Sequence, residues 1–256
     1  MRDLFSVAGK VALVTGGSRG IGRMIAHGLV ANGARTYVTA RKAEACAKTA
    51  AELSREGACV ALPADLAQAE ERTRLVAELS ARENALHILV NNAGANWGAP
   101  LAEFPESGWD KVMDVNLKAV FFLTRDLLPL LTKAGSPADP ARVVNVGSID
   151  GLHVPALETY SYSASKAALH HLTRVLARKL APEHVNVNAI APGPFESQMM
   201  KATLDRFGEM IRKTNPRGRI GEPEDVAGAT IFLCSRASAY VTGAVIPVDG
   251  GVSTCL

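Results

Sequence analysis

The sequence predicts a doubly wound α/β fold, one parallel sheet of seven strands with helices on both faces. Three observations predict it. Short apolar runs alternate with longer helical stretches, the pattern of parallel strands joined by crossover helices. The first apolar run stops at a glycine-rich turn that opens a helix. Polar residues able to do chemistry recur just after strands, where such a sheet forms its ligand crevice.

The elements follow in order. Residues 10–15 (KVALVT) form an apolar run ending at glycines and read as a buried strand. Residues 21–32 read as a helix stopped by Gly33, and residues 36–40 as a second strand. An alanine-rich helix over 43–55, a strand at 59–62, a helix over 68–82 and a strand at 88–90 continue the alternation. Residues 109–132 form one long helix, broken near Pro129 or ended soon after it. A strand at 142–146, a long helix over 160–180, and strands at 185–190 and 245–248 complete the set. Residues 134–140 (AGSPADP) read as a surface loop, because strand-like sequence resumes at once. No linker, repeat or low-complexity tract divides the chain, so one domain over 1–256 is expected.

Composition narrows the function. Of 256 residues, 48% are hydrophobic and 21% charged, which is globular and long enough to bury a large core. The net charge of +3 comes from basic residues scattered among acids, so a nucleic-acid partner is not expected. Cys46, Cys59, Cys234 and Cys255 form no CxxC or C…H pattern, so no metal site is expected. No apolar run is long enough for a signal peptide or membrane span, and the expected location is the cytoplasm.

The turn after the first strand reads Thr15-Gly16-Gly17-Ser18-Arg19-Gly20-Ile21-Gly22. Glycines there admit positive φ and let a pyrophosphate approach the backbone, and the helix N-terminus adds free N–H groups. The spacing is not GxGxxG, and a glycine-rich turn alone is weak evidence. The second strand ends in Ala40-Arg41-Lys42, where a carboxylate would stand in an NAD site. With that acid missing, Arg19 and Arg41 can hold a 2′-phosphate through paired hydrogen bonds, which favours NADPH.

Tyr162-Ser163-Ala164-Ser165-Lys166 opens the long helix at 160. A tyrosine and a lysine four residues apart share a helix face, and a nearby ammonium would lower the phenol from its usual value of about 10. That makes Tyr162 a candidate general acid. Tyr160 lacks a lysine at i+4. Ser148 follows the strand at 142–146 after one glycine and can orient a carbonyl. The pattern Tyr-x-x-x-Lys alone also describes an ordinary helix surface.

Together these residues resemble the short-chain dehydrogenase/reductase family, and the resemblance covers nearly the whole chain. Thr15, Gly16, Gly20 and Gly22 match the family's TGxxxGxG. Asp65-Leu66 matches its adenine-contacting pair, and Asn91-Asn92-Ala93-Gly94 its NNAG motif. Pro192-Gly193, with Phe195 and Ser197 following, matches the segment near the nicotinamide carboxamide. The resemblance implies a Rossmann-type fold, with residues 10–95 as the dinucleotide-binding half and 96–256 as the catalytic and substrate half. It implies Ser148, Tyr162, Lys166 and Asn116 as the catalytic set. Tyr162 would protonate the substrate oxygen, Lys166 would hold the nicotinamide ribose, and Asn116 would hold a water that restores the proton. It implies a homotetramer built on the helices near 109–131 and 160–180.

Within the family the likeness is to 3-oxoacyl-[acyl-carrier-protein] reductases, through Arg217-Gly218-Arg219-Ile220-Gly221-Glu222-Pro223. A 3-oxoacyl substrate linked to CoA or a carrier protein is therefore expected. Ala181-Pro182-Glu183-His184 lacks the arginine such enzymes place there to meet an acidic carrier. Residues 195–207, with Met199, Met200 and Leu204, read either as a lid for an acyl chain or as packing against the body of the protein. His170 and His171 point in different directions and make a poor metal pair, and His153 lines the pocket. Rival expectations are a reductase of another ketone and an NADP-sensing protein without turnover.

Overall fold

The computed structural model describes residues 3–255. Its strands are β1 (Val11–Thr15), β2 (Arg35–Thr39), β3 (Cys59–Ala61), β4 (Ile88–Asn91), β5 (Ala141–Val146), β6 (Val185–Pro192) and β7 (Val245–Val248). They pair in parallel in the order β3-β2-β1-β4-β5-β6-β7. The helices are α1 (Gly20–Ala31), α2 (Ala43–Leu53), α3 (Ala69–Arg82), α4 (Glu106–Met113), α5 (Ala119–Ala134), α6 (Tyr160–Leu180), α7 (Lys201–Thr214) and α8 (Pro223–Cys234).

Both faces of the sheet are covered, which explains the unbroken apolar strands. Ala12 and Val14 of β1 pack into one core with Ile25 and Leu29 of α1 and Leu233 of α8. Val11 and Leu13 point the other way, into a core with Leu75 of α3, Leu127 of α5 and Ala177 of α6. The strand order reverses between β1 and β4, so a crevice opens at their carboxyl ends.

Two departures from the sequence reading have clear causes. The helix expected over 109–132 is two helices joined by one π turn at Asp114–Lys118. Pro129 does not break α5, which ends soon after it at Ala134. A proline in a helix interior costs about 3 kcal/mol, whereas each leucine buried here contributes ~2 kcal/mol. Leu123, Leu127, Leu130 and Leu131 all lie on the buried stripe of α5, so packing prevails.

The second departure is that α7 and α8 fill the stretch that the sequence reading left without an element. The start of α8 carries a capping box between Glu222 and Asp225, with Pro223 in the first turn. Its apolar residues surround the helix without a clean stripe, which hides the period. The loop before β5 is anchored from below: Asp139 takes Lys10 Nζ at 2.6 Å and Arg142 Nη2 at 3.1 Å. Among the described residues no helix is long and apolar enough to cross a membrane.

Candidate active site

The glycine turn and the β4 loop are laced together at the switch point. Thr15 Oγ1 accepts the N–H groups of Asn92 (2.8 Å) and Ala93 (2.9 Å). Asn92 Nδ2 donates back to Thr15 O at 2.8 Å and Gly16 O at 3.3 Å. A Cβ on Gly16 (φ +64°) would lie 2.8 Å from Asn92 Nδ2, and one on Gly22 only 2.2 Å from it. These glycines therefore make room for Asn92 as well as for a ligand. Asn91 is turned into the core, donating to Thr124 and Asn145.

The cradle fits a dinucleotide phosphate. Helix α1 has no side-chain cap and no acid in its first turn, so its leading N–H groups face the crevice unopposed. Gly20 (φ +52°) keeps the turn open beside Ser197. Arg41 is exposed just beyond β2, with no carboxylate at the strand end. Arg19 is exposed too, its guanidinium bonded to Gln198. Asp65 is half-buried, and its Oδ1 accepts Ala67 N–H at 3.1 Å. The Ser18 carbonyl takes the Thr49 hydroxyl at 3.0 Å.

Three of the expected cofactor-binding residues pack their side chains against the protein. Leu66 is buried in one core, and Ile21 is partly buried against the other. Phe195 is 1% exposed, its ring lying under Gly221, where a Cβ would come within 2.3 Å. Of the two readings for 195–207, packing holds for Phe195, while Met199 is exposed and the chain from Lys201 is helical. Beside them, Gly193 sits tight on Asp249 and donates its N–H to Val248 O at 3.0 Å, which leaves the end of Pro192-Gly193 at the crevice.

Ser148, Tyr162 and Lys166 converge where β5 ends. Ser148 is buried and begins a single 3₁₀ turn over Ile149–Gly151, its Oγ accepting Asp150 N–H at 3.1 Å. Lys166 is buried one turn along α6 from Tyr162, with Nζ 5.5 Å from the phenol ring centroid. Asn116, in the π turn, holds Ala95 from both sides, accepting its N–H (2.8 Å) and donating to its O (3.0 Å) and to Ser165 Oγ (3.0 Å). π turns gather at functional sites because they re-aim the chain. A Cβ on Gly94 would meet Asn116 Oδ1 at 3.4 Å and Lys166 Nζ at 4.0 Å, so the β4 loop, π turn and α6 share one site. Tyr160 lies outside it, donating to Glu158 and edge-on to Phe104.

The electrostatics correct one expectation. Lys166 does not lower the Tyr162 phenol here. Its Nζ donates to Val146 O at 2.7 Å, and burial pushes its own pKa down to about 8, with Asp150 opposing. Burial pushes the phenol up to about 12; the Ser148 hydroxyl opposes this and Asp150 adds to it. A phenol kept protonated can give a proton rather than take one. The sequence reading missed Asp150, whose carboxyl is raised by burial and pulled back by His153 and Lys166. Its place two residues after Ser148, in the same turn, was the available signal. His153 Nδ1 lies 3.2 Å from Val154 O, and its Nε2 is buried without a partner.

Comparison with known proteins agrees with this geometry. A family model described as enoyl-(acyl carrier protein) reductase matches residues 16–253. The chain is 51% identical over 253 residues to the rhamnolipids biosynthesis 3-oxoacyl-[acyl-carrier-protein] reductase of Pseudomonas aeruginosa, covering 98% of this chain and 99% of that protein. Its structure resembles the RhlG/NADP active-site complex from the same organism, with TM-score 0.95, 50% identity, and coverage of 99% of this chain and 100% of the other. It also resembles a gluconate 5-dehydrogenase of Burkholderia cenocepacia in complex with NADP and tartrate, with TM-score 0.92, 33% identity and 99% of each chain covered. With seven parallel strands, a glycine-rich β1 turn and the Ser148, Tyr162 and Lys166 cluster in place, the chain belongs to the short-chain dehydrogenase/reductase family.

Proposed function

We propose that this chain is an NADPH-dependent oxidoreductase that reduces a 3-oxoacyl thioester to its 3-hydroxyacyl form. The carrying observation is the convergence of a buried serine hydroxyl, a protonated phenol and a buried ammonium beside an uncapped helix N-terminus. The name of the Pseudomonas relative supports the 3-oxoacyl substrate, and the NADP complexes of two structural relatives support the cofactor.

In this reading the N-terminus of α1 holds the pyrophosphate, and Arg19 and Arg41 hold the 2′-phosphate. Asp65 and the backbone of Leu66 border the adenine. Asn92, Ala93 and Gly94 line the ribose side, and the backbone of Pro192, Gly193 and Phe195 borders the carboxamide. Bound nicotinamide would supply hydride to the carbonyl carbon. Ser148 orients the carbonyl oxygen, and Tyr162 gives it the proton, so negative charge never accumulates there. Lys166 takes the ribose hydroxyls. Asn116 keeps Ala95 and Ser165 in place around this cluster and serves the return of the proton through Lys166.

The substrate is a small 3-oxoacyl molecule on CoA or a carrier protein, met in the cytoplasm and belonging to lipid metabolism. The assembly is a homotetramer using the groove of about 440 Å³ between the α4–α5 junction and α6, where Phe121 and Val175 stand exposed. Sedimentation of the native chain and of Phe121→Arg tests it; an unchanged mass for the variant opposes it. The reaction is tested by loss of NADPH absorbance with acetoacetyl-CoA, beside 5-ketogluconate and cyclic ketones. Turnover of the thioester is expected. Turnover only of another ketone moves the substrate class, and tight NADPH binding without any turnover favours a sensor.

A further inference from the structure

We propose that His170 is a positioning residue for Ser148, its imidazole forming the seat on which the serine turn rests. Gly147 precedes Ser148, and Gly151 closes the 3₁₀ turn that Ser148 begins. Both glycines face one ring. A Cβ on Gly147 would lie 2.1 Å from His170 Nε2, and a Cβ on Gly151 would lie 2.9 Å from His170 Cε1. The missing side chains on either side of Ser148 thus leave the space that this ring fills.

The ring belongs to the same helix as the acid and the lysine. Tyr162, Lys166 and His170 follow one another at steps of four on α6, and Lys166 and His170 are both buried. Gly151 also rests on the α6 backbone, where its Cβ would lie 2.7 Å from Lys166 C and 2.8 Å from Ala167 N. The distance between the Ser148 hydroxyl and the Tyr162 phenol is therefore set through one rigid element. His170 is 2% exposed. Burial pushes its pKa down to about 4, with the Gly151 backbone opposing and the charges of Lys166 and Arg174 adding, so the ring is neutral, which suits a packed seat. Asp150 lies on the turn itself, and its charge bears on Lys166 and Tyr162.

This inference rests on the proposed reaction for its catalytic readout, and a second readout needs no turnover. His170→Ala is expected to lower kcat about 10- to 100-fold with NADPH affinity unchanged, the effect of a misplaced reacting group. In a Ser148→Ala background the same substitution should change kcat less than about twofold, since the group it positions is gone. His170→Gln, which reaches the same place, should recover most of the loss. Gly147→Ala, placing a methyl against the ring, should be inactive alone and partly restored in the Gly147→Ala, His170→Ala double variant. Hydrogen exchange across residues 147–152 should rise in His170→Ala whatever the substrate. Equal losses of kcat with and without Ser148, no restoration in the double variant, or unchanged exchange would overturn the assignment. A native chain that turns over no ketone would remove the reaction but leave the exchange result to decide on His170.

Discussion

Thr15 and Asn92 clasp each other across the carboxyl ends of β1 and β4, each donating or accepting a 2.8 Å bond with the other's backbone or hydroxyl. The clasp closes over Gly22, where a Cβ would also strike Gly16 O at 2.4 Å. Gly22→Ala must therefore move backbone rather than a flexible side chain. A cost of ~1–3 kcal/mol is expected, read as a fall in Tm, with NADPH affinity weakened in parallel. An unchanged Tm would show that the clasp yields freely.

Tyr162→Phe keeps the ring and removes the proton. The expected result is a fall in kcat/KM of about 10²- to 10⁴-fold with NADPH binding retained, measured by steady-state kinetics and fluorescence titration. Full activity would remove the phenol from the reaction.

Asp150 acts on both titrating partners in the same direction. Its negative charge disfavours phenolate at Tyr162 and favours ammonium at Lys166, so it raises both. Asp150→Asn is expected to move the alkaline side of the pH–rate profile to lower pH. A profile that stays in place, or moves up, would show that the carboxylate does not face these groups.

Arg41 stands where a ribose-binding acid would otherwise stand. Arg41→Asp is expected to weaken NADPH by about 10- to 100-fold, the worth of a charged hydrogen bond, and to affect NADH far less. KM and Kd for both dinucleotides decide the matter; an unchanged preference would remove Arg41 from the phosphate site.

His170 makes the fold sensitive to acid. Its pKa falls from about 6.5 in an unfolded chain to about 4 in the buried site. A depressed value contributes stability that is full above 6.5 and lost as pH falls toward 4. The total is ~3 kcal/mol at full protonation. Chemical denaturation of the native chain and His170→Gln should therefore diverge between neutral pH and pH 4, the native chain losing more. Parallel curves would contradict the buried, neutral imidazole.

The seven strands, the glycine turn and the spacing of Tyr162 and Lys166 were legible because each is a local property. Period, turn chemistry and a four-residue helical step are fixed within a few residues of chain. The limits of α6 and β7 follow directly, as does the missing acid after β2. Pro129 is tolerated inside α5 because its local penalty is outweighed by leucines that meet the sheet only in the fold. Helix α8 went unseen because it is apolar around most of its surface. What only the tertiary structure decided is which way side chains turn. Phe195 and Leu66 lie near the crevice in sequence yet bury their side chains, Lys166 bonds Val146 O, and burial raises the Tyr162 phenol despite the neighbouring ammonium. Those outcomes depend on desolvation and on contacts between residues far apart in the chain, and no spacing in the sequence encodes either.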